Sequence, residues 1–157
     1  TLRPAQTPDV PVILELIRGL AEYEKLAHEV TATAARLQQT LFPADRSAPA
    51  AHCVLAEVDG VPVGFALYFF NYSTFLARPG LYLEDLFVKT GFRGRGLGRA
   101  LLLHLAQIAN QRGCGRMEWA VLDWNQPAIA FYESLGARRL RDWQICRLTG
   151  PTLTQYA

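Results

Sequence analysis

One segment in the middle of the chain limits the possible folds more than any other: a glycine-rich turn between an apolar strand and a helix. The mostly apolar run Leu81–Val88 leads into Thr90-Gly91-Phe92-Arg93-Gly94-Arg95-Gly96-Leu97-Gly98. The residues that follow place apolar side chains at helical spacing: Leu97, Leu101, Leu105 and Ile108. A helix N-terminus leaves N–H groups unpaired and carries a partial positive charge. Because glycine lets a phosphate approach the backbone closely, the sequence predicts an anion site here.

Three arginines add positive charge to this turn: Arg93, Arg95 and Arg99. Two common phosphate motifs do not fit, because Arg99 and Ala100 replace the Lys and Ser/Thr of the P-loop and the GxGxxG spacing is not met. The charge balance is −4 over residues 1–85 and +6 over residues 86–157. An acidic half that attracts a cation and a basic half that attracts an anion would explain this division. A solvated surface without a binding role would explain it equally well.

The remaining sequence patterns predict a mixed α/β chain that forms a single domain over residues 1–157. Helices are predicted over residues 9–24, from a cap at Thr31 or Thr33 to Phe42-Pro43, over 97–113, and from a cap at Asn125 to Leu135-Gly136. Strands are predicted over residues 1–3, 52–58, 61–72, 81–88, 117–122 and 138–148. Loops are predicted over 44–50 and 73–80, and Asp59-Gly60 predicts a hairpin turn.

Composition excludes several classes of protein. No apolar run reaches the roughly 18–20 residues that cross a bilayer, and no leader opens the chain, so we expect a soluble, cytoplasmic protein without membrane contact. The odd number of cysteines and the absence of CxxC spacing argue against a disulfide framework and a zinc site: Cys53, Cys114 and Cys146. The three histidines lack HExxH spacing, so no metal is expected.

Two motifs together indicate a family. The stretch Arg93–Gly98 matches R/QxxGxG/A and resembles the coenzyme-A pyrophosphate loop of the GNAT superfamily. The later segment Asn125–Ala137 is similar to the N-x-x-A-x-x-F-Y-x-x-x-G-F/A segment of the same superfamily. Four further segments resemble the spermidine/spermine acetyltransferase branch, which includes enzymes acting on polyamines, thialysine and other small amines: residues 20–24, 63–69, 81–88 and 124–127.

The resemblance extends from Arg3 to about Leu148. It implies the GNAT fold, a central mixed, mostly antiparallel twisted sheet flanked by about four helices. It also implies acetyl-CoA as cosubstrate, a small-molecule amine as acceptor, direct attack in a ternary complex, and a homodimer whose C-terminal strands pair or exchange.

Site residues follow from the resemblance position by position. The pantetheine arm would meet the backbone of Leu86, Phe87 and Val88. The pyrophosphate would be held by Arg93, Gly94, Arg95, Gly96, Leu97, Gly98 and Arg99. Further coenzyme contacts would come from Asn125, Gln126, Pro127 and Ala128. Tyr132 would be the general acid. The amine pocket would be formed by Tyr23, Glu24, Glu84, Asp85 and Trp143.

The chemistry explains why such residues are needed. An alkylamine with a pKa of ~10 arrives protonated, and presenting it neutral at pH 7 costs ~4 kcal/mol. We expect Glu84 to accept its proton through water, with Asp85 as a binding group. Because side chains alternate along a strand, only one of the two can face the coenzyme unless the strand bulges. A backbone N–H near Leu86–Val88 would stabilise the oxyanion, and Tyr132 would protonate the leaving thiolate.

Departures from the polyamine pattern keep the amine open. Phe75 stands where the polyamine enzymes carry a tryptophan, and the arginines within Arg138–Arg141 would repel a polycation if they face the pocket. The alternatives are an enzyme acting on a protein lysine or N-terminus and a coenzyme-A-binding regulatory module without turnover. Nucleic-acid binding is not expected, because no stacking aromatics accompany a basic stripe.

Overall fold

The computed structural model describes residues 1–45 and 47–156 of the chain. The chain is divided into two compact units, Thr1–Ala120 and Val121–Ala157. The first unit holds a five-stranded sheet whose strands lie side by side in chain order. These strands are β1 (Leu2–Pro4), β2 (His52–Val58), β3 (Val61–Ser73), β4 (Arg78–Val88) and β5 (Arg116–Trp119). Neighbours from β1 to β4 are antiparallel and β4–β5 is parallel, which confirms the predicted mixed, mostly antiparallel sheet.

The helices begin close to the residues that the sequence predicts. They are α1 (Val10–Tyr23), α2 (Ala34–Leu41), α3 (Leu97–Gln111), α4 (Gln126–Ser134) and the short α5 (Pro151–Thr154), which the sequence pattern missed. The Thr33 hydroxyl caps α2 by accepting from the Arg36 N–H at 3.2 Å. In α4 the Asn125 side chain accepts from the Ala128 N–H at 3.4 Å. None of the helices in the described ranges is long and apolar enough to cross a membrane.

Helices α1 and α3 pack on opposite faces of the sheet. The Phe87 ring points to α1, where a Cβ added at Gly19 would lie 3.1 Å from it. The neighbouring Leu86 points to α3, where a Cβ at Gly98 would lie 3.7 Å away. The α1 side forms a buried core of Ile13, Leu16, Leu20, Leu41, Cys53, Leu55, Phe65 and Phe87. Full burial of each large aliphatic side chain stabilises the unit by about 1.5–3 kcal/mol.

The hairpin prediction is confirmed, whereas the predicted loop over residues 73–80 is too long. Asp59 and Gly60 both have positive φ, 52° and 77°, as the tight hairpin turn requires. Strand β4 begins at Arg78 rather than at residue 81, because Pro79 and Gly80 still pair with β3. Glycine and proline are typical of turns, but at Gly80 the missing side chain leaves room for the Asn71 amide of the facing strand.

The predicted strand over residues 138–148 is wrong, and β5 is shorter than the predicted 117–122. In the structure residues 137–149 contain no strand. Extended backbone becomes a strand only when a neighbour completes its hydrogen bonds, and no segment within residues 1–45 and 47–156 pairs with this stretch. Its large apolar side chains are exposed: Leu140, Trp143, Ile145 and Leu148.

The close approach of β3 to β4 makes Gly64 a stability test. A Cβ at this position would lie 2.8 Å from the Phe87 carbonyl oxygen and 3.1 Å from Val88 Cγ2. We therefore expect Gly64→Ala to lower the free energy of unfolding by about 1–3 kcal/mol, measured by urea denaturation. Gly91→Ala is the matched control, because nothing lies within 4 Å of its added Cβ. Equal stability of both variants would contradict the packing described for β3 and β4.

Candidate functional site

A β-bulge at Glu84 interrupts strand β4. Leu67 of β3 faces Asp85 and the next β3 residue, Tyr68, faces Leu83, so Glu84 is the extra residue. Residues that pair directly share a face of the sheet. The bulge therefore places Asp85 on the α1 face with Leu67, and Leu83 on the α3 face with Tyr68. The sequence analysis expected only one of Glu84 and Asp85 to face the coenzyme unless the strand bulges, and the structure shows that the strand does bulge at this pair.

Three carboxylates gather where the bulge meets the end of α1. Burial, with the charges of Glu84 and Glu24 added, raises the pKa of Asp85 to about 6. Burial also raises the pKa of Glu24, which follows α1 directly. Glu84 is exposed. The fold thus brings residues 24, 84 and 85 of the predicted amine pocket into electrostatic contact, although the chain separates Glu24 from the pair by sixty residues. Such a cluster attracts a cation.

The edge of β4 beside β5 is open over its last residues. Pairing of the two strands begins at Gly80 with Arg116 and ends at Leu83 with Trp119. Beyond that point Glu84–Val88 have no β5 partner in the part of the chain that the structure describes. Their backbone groups on this edge, other than the Val88 carbonyl that accepts from Arg93 Nε at 2.9 Å, are therefore open to an extended ligand that hydrogen-bonds as a strand would. The stretch contains the predicted pantetheine contacts Leu86, Phe87 and Val88.

The glycine-rich turn has the shape that a phosphate needs. Gly94 and Gly96 adopt positive φ angles of 74° and 79°, and an added Cβ at either would meet nothing within 4 Å. Gly96 is the N-cap of α3 and provides no side chain to cap its first N–H groups. Arg95 and Arg99 are exposed beside it. An uncapped helix N-terminus with an open glycine turn and exposed cations fits the pyrophosphate of a coenzyme.

Arg93 makes contacts that the sequence did not predict. Its Nε donates to the Val88 carbonyl oxygen at 2.9 Å. The guanidinium carbon lies 4.3 Å from the centre of the Tyr23 ring and 5.5 Å from the centre of the Phe87 ring. Arg95 instead lies over the ring of Phe92, at 5.2 Å. Seventy residues separate Arg93 from Tyr23, so no local pattern in the sequence indicates this pair.

The second unit carries the remaining predicted site residues. Asn125 begins α4 and Pro127 lies in its first turn, as predicted. Tyr132 on this helix is half-buried, with its ring centre 5.3 Å from that of Phe131. Trp143 lies outside the regular elements and is 78% exposed. Within the unit, Arg139 forms an ion pair with Glu133 at 2.9 Å.

Among the described residues, the cysteine, histidine and carboxylate side chains form neither a disulfide nor a metal site. No group of three or more His, Cys, Asp or Glu side chains is placed to hold a metal ion within residues 1–45 and 47–156. The three thiols are free, and burial raises the pKa of Cys53 to about 12, so this thiol stays protonated at neutral pH.

Comparison with known families identifies the class of protein. The model of the acetyltransferase (GNAT) family matches residues 17–137. The chain belongs to the GNAT family. This membership confirms the resemblance seen in the sequence and makes the protein an acyltransferase. The family uses acetyl-CoA as acetyl donor, and the open β4 edge and the glycine turn before α3 fit that cosubstrate.

Individual relatives cover nearly the whole chain. A thialysine N-epsilon-acetyltransferase of Bos taurus is 38% identical over 99% of this chain and 96% of its own length. An L-ornithine N5-acetyltransferase of Arabidopsis thaliana is 36% identical over 97% of this chain and 85% of its own. An integron cassette protein from the mobile metagenome of V. cholerae is similar in structure, with a TM-score of 0.78 and 27% identity over 99% of this chain and 96% of its own.

The raised pKa of Asp85 makes stability depend on pH in a defined direction. Its folded-state pKa of about 6 lies above the value of ~3.9 in an unfolded chain, so the folded state binds more protons between these values. The free energy of unfolding should therefore fall as pH rises from about 4 to about 6, by up to ~3 kcal/mol from this group. Asp85→Asn should remove that slope in urea denaturation series. Asp59→Asn in the hairpin turn is the control and should keep the pH dependence of the free energy of unfolding. If Asp85→Asn shows the same pH dependence as the wild type, the burial of this carboxylate is contradicted.

Proposed function

We propose that the protein transfers the acetyl group of acetyl-CoA to a primary amine of a small molecule, of the thialysine, diamine or polyamine type. The carboxylate cluster of Glu24, Glu84 and Asp85 carries this proposal, because it provides a compact negative site for an ammonium group next to the open edge of β4. The two relatives named as thialysine and L-ornithine acetyltransferases both act on small amines. All residues 1–157 would act as one catalytic domain.

Binding begins with the charge of the amine. Tyr23 and Glu24 at the end of α1 would receive the ammonium group together with Asp85, and Trp143 is proposed as a further pocket residue. Glu84, which is exposed at the bulge, would accept the amine proton through a water molecule, so that the nitrogen reaches the thioester neutral. Asp85, with a pKa near neutrality, holds a negative charge once the cation is present.

The contacts with the acetyl donor are proposed from the family motifs, one segment at a time. Leu86, Phe87 and Val88 would pair their backbone with the pantetheine arm, and an N–H among them would stabilise negative charge on the acetyl oxygen. The turn from Arg93 to Arg99 would hold the pyrophosphate. Asn125, Gln126, Pro127 and Ala128 would line the coenzyme further along. When bound, acetyl-CoA supplies the activated thioester, and the Tyr132 hydroxyl would protonate the departing sulfur.

Two features bear on the choice of amine. Phe75 is 98% exposed at the tip between β3 and β4, where the polyamine enzymes carry tryptophan. Arg138 and Arg141 are exposed, while Arg139 pairs with Glu133. A long polycation would gain nothing from these groups, so we favour a short amine that also carries a carboxylate, as thialysine and ornithine do.

A panel of acceptors tests the proposal. Release of free coenzyme A from acetyl-CoA is measured with thialysine, ornithine, lysine, putrescine, spermidine, an aminoglycoside and a lysine peptide. Selective turnover with a short amino-acid amine is the expected result. Turnover only with the peptide would establish the alternative of a protein acetyltransferase. Binding of acetyl-CoA without turnover on any acceptor would establish a regulatory module.

Loss of the Tyr132 hydroxyl tests the general acid. Tyr132→Phe keeps the ring and its contact with Phe131, so the helix should fold unchanged. We expect kcat with the best amine to fall about 100-fold, the scale of a lost general acid. Tyr72→Phe, an exposed hydroxyl on β3, is the control and should leave kcat as it is. An unchanged kcat in Tyr132→Phe would remove this residue from the mechanism.

Removal of the Glu84 carboxylate tests the proton relay. Without a nearby acceptor, more of the amine must lose its proton before it binds, so the rising limb of the pH–rate profile should move to higher pH in Glu84→Gln. The profile of kcat/KM against pH measures this. Asp59→Asn, which removes a remote carboxylate, should leave the profile in place. If Glu84→Gln behaves like this control, the base lies elsewhere.

We further propose a homodimer in the cytoplasm. Residues 137–149 expose several large apolar side chains, and their backbone pairs with no strand in the described part of the chain. A second copy would supply the missing hydrogen-bonding neighbour. Sedimentation at micromolar concentration should give twice the 17.5 kDa of one chain. Ile145→Asp should shift the species toward one chain, whereas a wild-type species of 17.5 kDa would exclude the dimer at that concentration.

A further inference from the structure

One side of α1 contacts β4 and the segment after it at three successive turns. Residues 15, 19 and 23 of the helix lie four apart and therefore share one face. Glu15 accepts from Lys89 Nζ at 2.7 Å. Gly19 leaves room for the Phe87 ring, which an added Cβ would approach to 3.1 Å. Tyr23 lies beneath the Arg93 guanidinium at 4.3 Å.

The contact between Tyr23 and Arg93 lies at the C-terminal end of α1, the part of the helix that is most prone to fray. Tyr23 is its last residue, and the chain then turns through Lys25 with φ of 62°. Helix ends fray unless side chains hold them. The Glu15–Lys89 pair lies two turns away and is largely exposed, so it contributes little to holding this end.

Arg93 is suited to this task by its shape. Its Nε is fixed by the Val88 carbonyl at 2.9 Å, which sets the plane of the guanidinium. That planar cation then meets two aromatic rings, Tyr23 and Phe87. A cation over an aromatic ring stabilises the pair even where it is partly exposed to water.

We propose that Arg93 is a positioning residue for the amine: it fixes Tyr23 and Glu24 against β4, opposite Asp85. This inference rests on the proposed function, since it assigns Tyr23 and Glu24 to the amine pocket. The Arg93 side chain then acts on the acceptor side of the reaction, although its own backbone begins the turn that is proposed to hold the coenzyme. Arg95 in the same turn instead places its guanidinium over the Phe92 ring, at 5.2 Å.

Steady-state kinetics distinguishes an effect on amine binding from an effect on acetyl-CoA binding. Arg93→Gln is the informative variant, because glutamine is the alternative residue of the R/QxxGxG/A motif and is compatible with a coenzyme turn. We expect KM for the amine to rise roughly 3–10-fold, by a larger factor than KM for acetyl-CoA, because the side chain contacts α1 whereas the backbone belongs to the turn proposed to hold the coenzyme. Arg112→Gln, which removes a comparable cation 5.6 Å from the Phe70 ring, should change neither KM. A rise confined to KM for acetyl-CoA, or no change at all, would overturn the proposal.

A double-mutant cycle with Tyr23→Leu supplies a second readout. The effects of Arg93→Gln and Tyr23→Leu on kcat/KM for the amine should be less than additive, because both remove the same contact. The same cycle is measured on the free energy of unfolding without any substrate. Additive effects in both measurements would overturn the role of the contact, and coupling in stability without any effect on the amine would overturn positioning. If the wild-type protein acetylates no amine, the proposed function fails, while the stability cycle still reports on the contact.

Discussion

The rest of the first unit depends on one constraint, the pairing of β3 with β4. A bulge at Glu84 interrupts this pairing. Before the bulge, β4 is held on both sides, by β3 and by β5. After it, β4 keeps β3 alone, and the edge toward β5 is open over Glu84–Val88. One extra residue therefore changes which face the following side chains occupy, at the same place where the strand offers its backbone to a ligand.

Two faces of the same strand then serve different tasks. Leu86 packs toward α3, whose N-terminus follows the glycine turn, and Phe87 packs toward α1. Asp85 shares the α1 face and feels the charge of Glu24. The glycine turn before α3 and two carboxylates of the acidic cluster thus lie on one continuous segment of chain, residues 84–99, and Glu24 after α1 completes the cluster.

In the absence of a bound cation, the acidic cluster lowers the stability of the folded protein, and this destabilisation points to a functional role. A carboxylate whose pKa is raised to about 6 destabilises the folded protein near neutral pH, because folding removes it from water beside two like charges. The core of the first unit is built mainly from apolar side chains, and Asp85 lies half-buried outside it. Carboxylates that are retained at such a cost are typical of sites that bind or move charge. In a member of the acetyltransferase family, the role that we propose for this charge is the recognition of an ammonium group.

The sequence by itself determined what depends on local patterns: helices α1 to α4, the Thr33 and Asn125 caps, the Asp59-Gly60 turn, and the strand, glycine turn and helix that carry the family motif. These follow from side-chain spacing and backbone preference within a few residues. It failed over residues 138–148, where extended character required a pairing partner, and at Gly80, where a turn residue lies inside a strand. Only the tertiary structure decided the bulge, the meeting of Glu24 with Asp85, and the stacking of Arg93 on Tyr23. The reason is physical: register and contact across sixty or seventy residues arise from packing of whole elements, which no local pattern encodes.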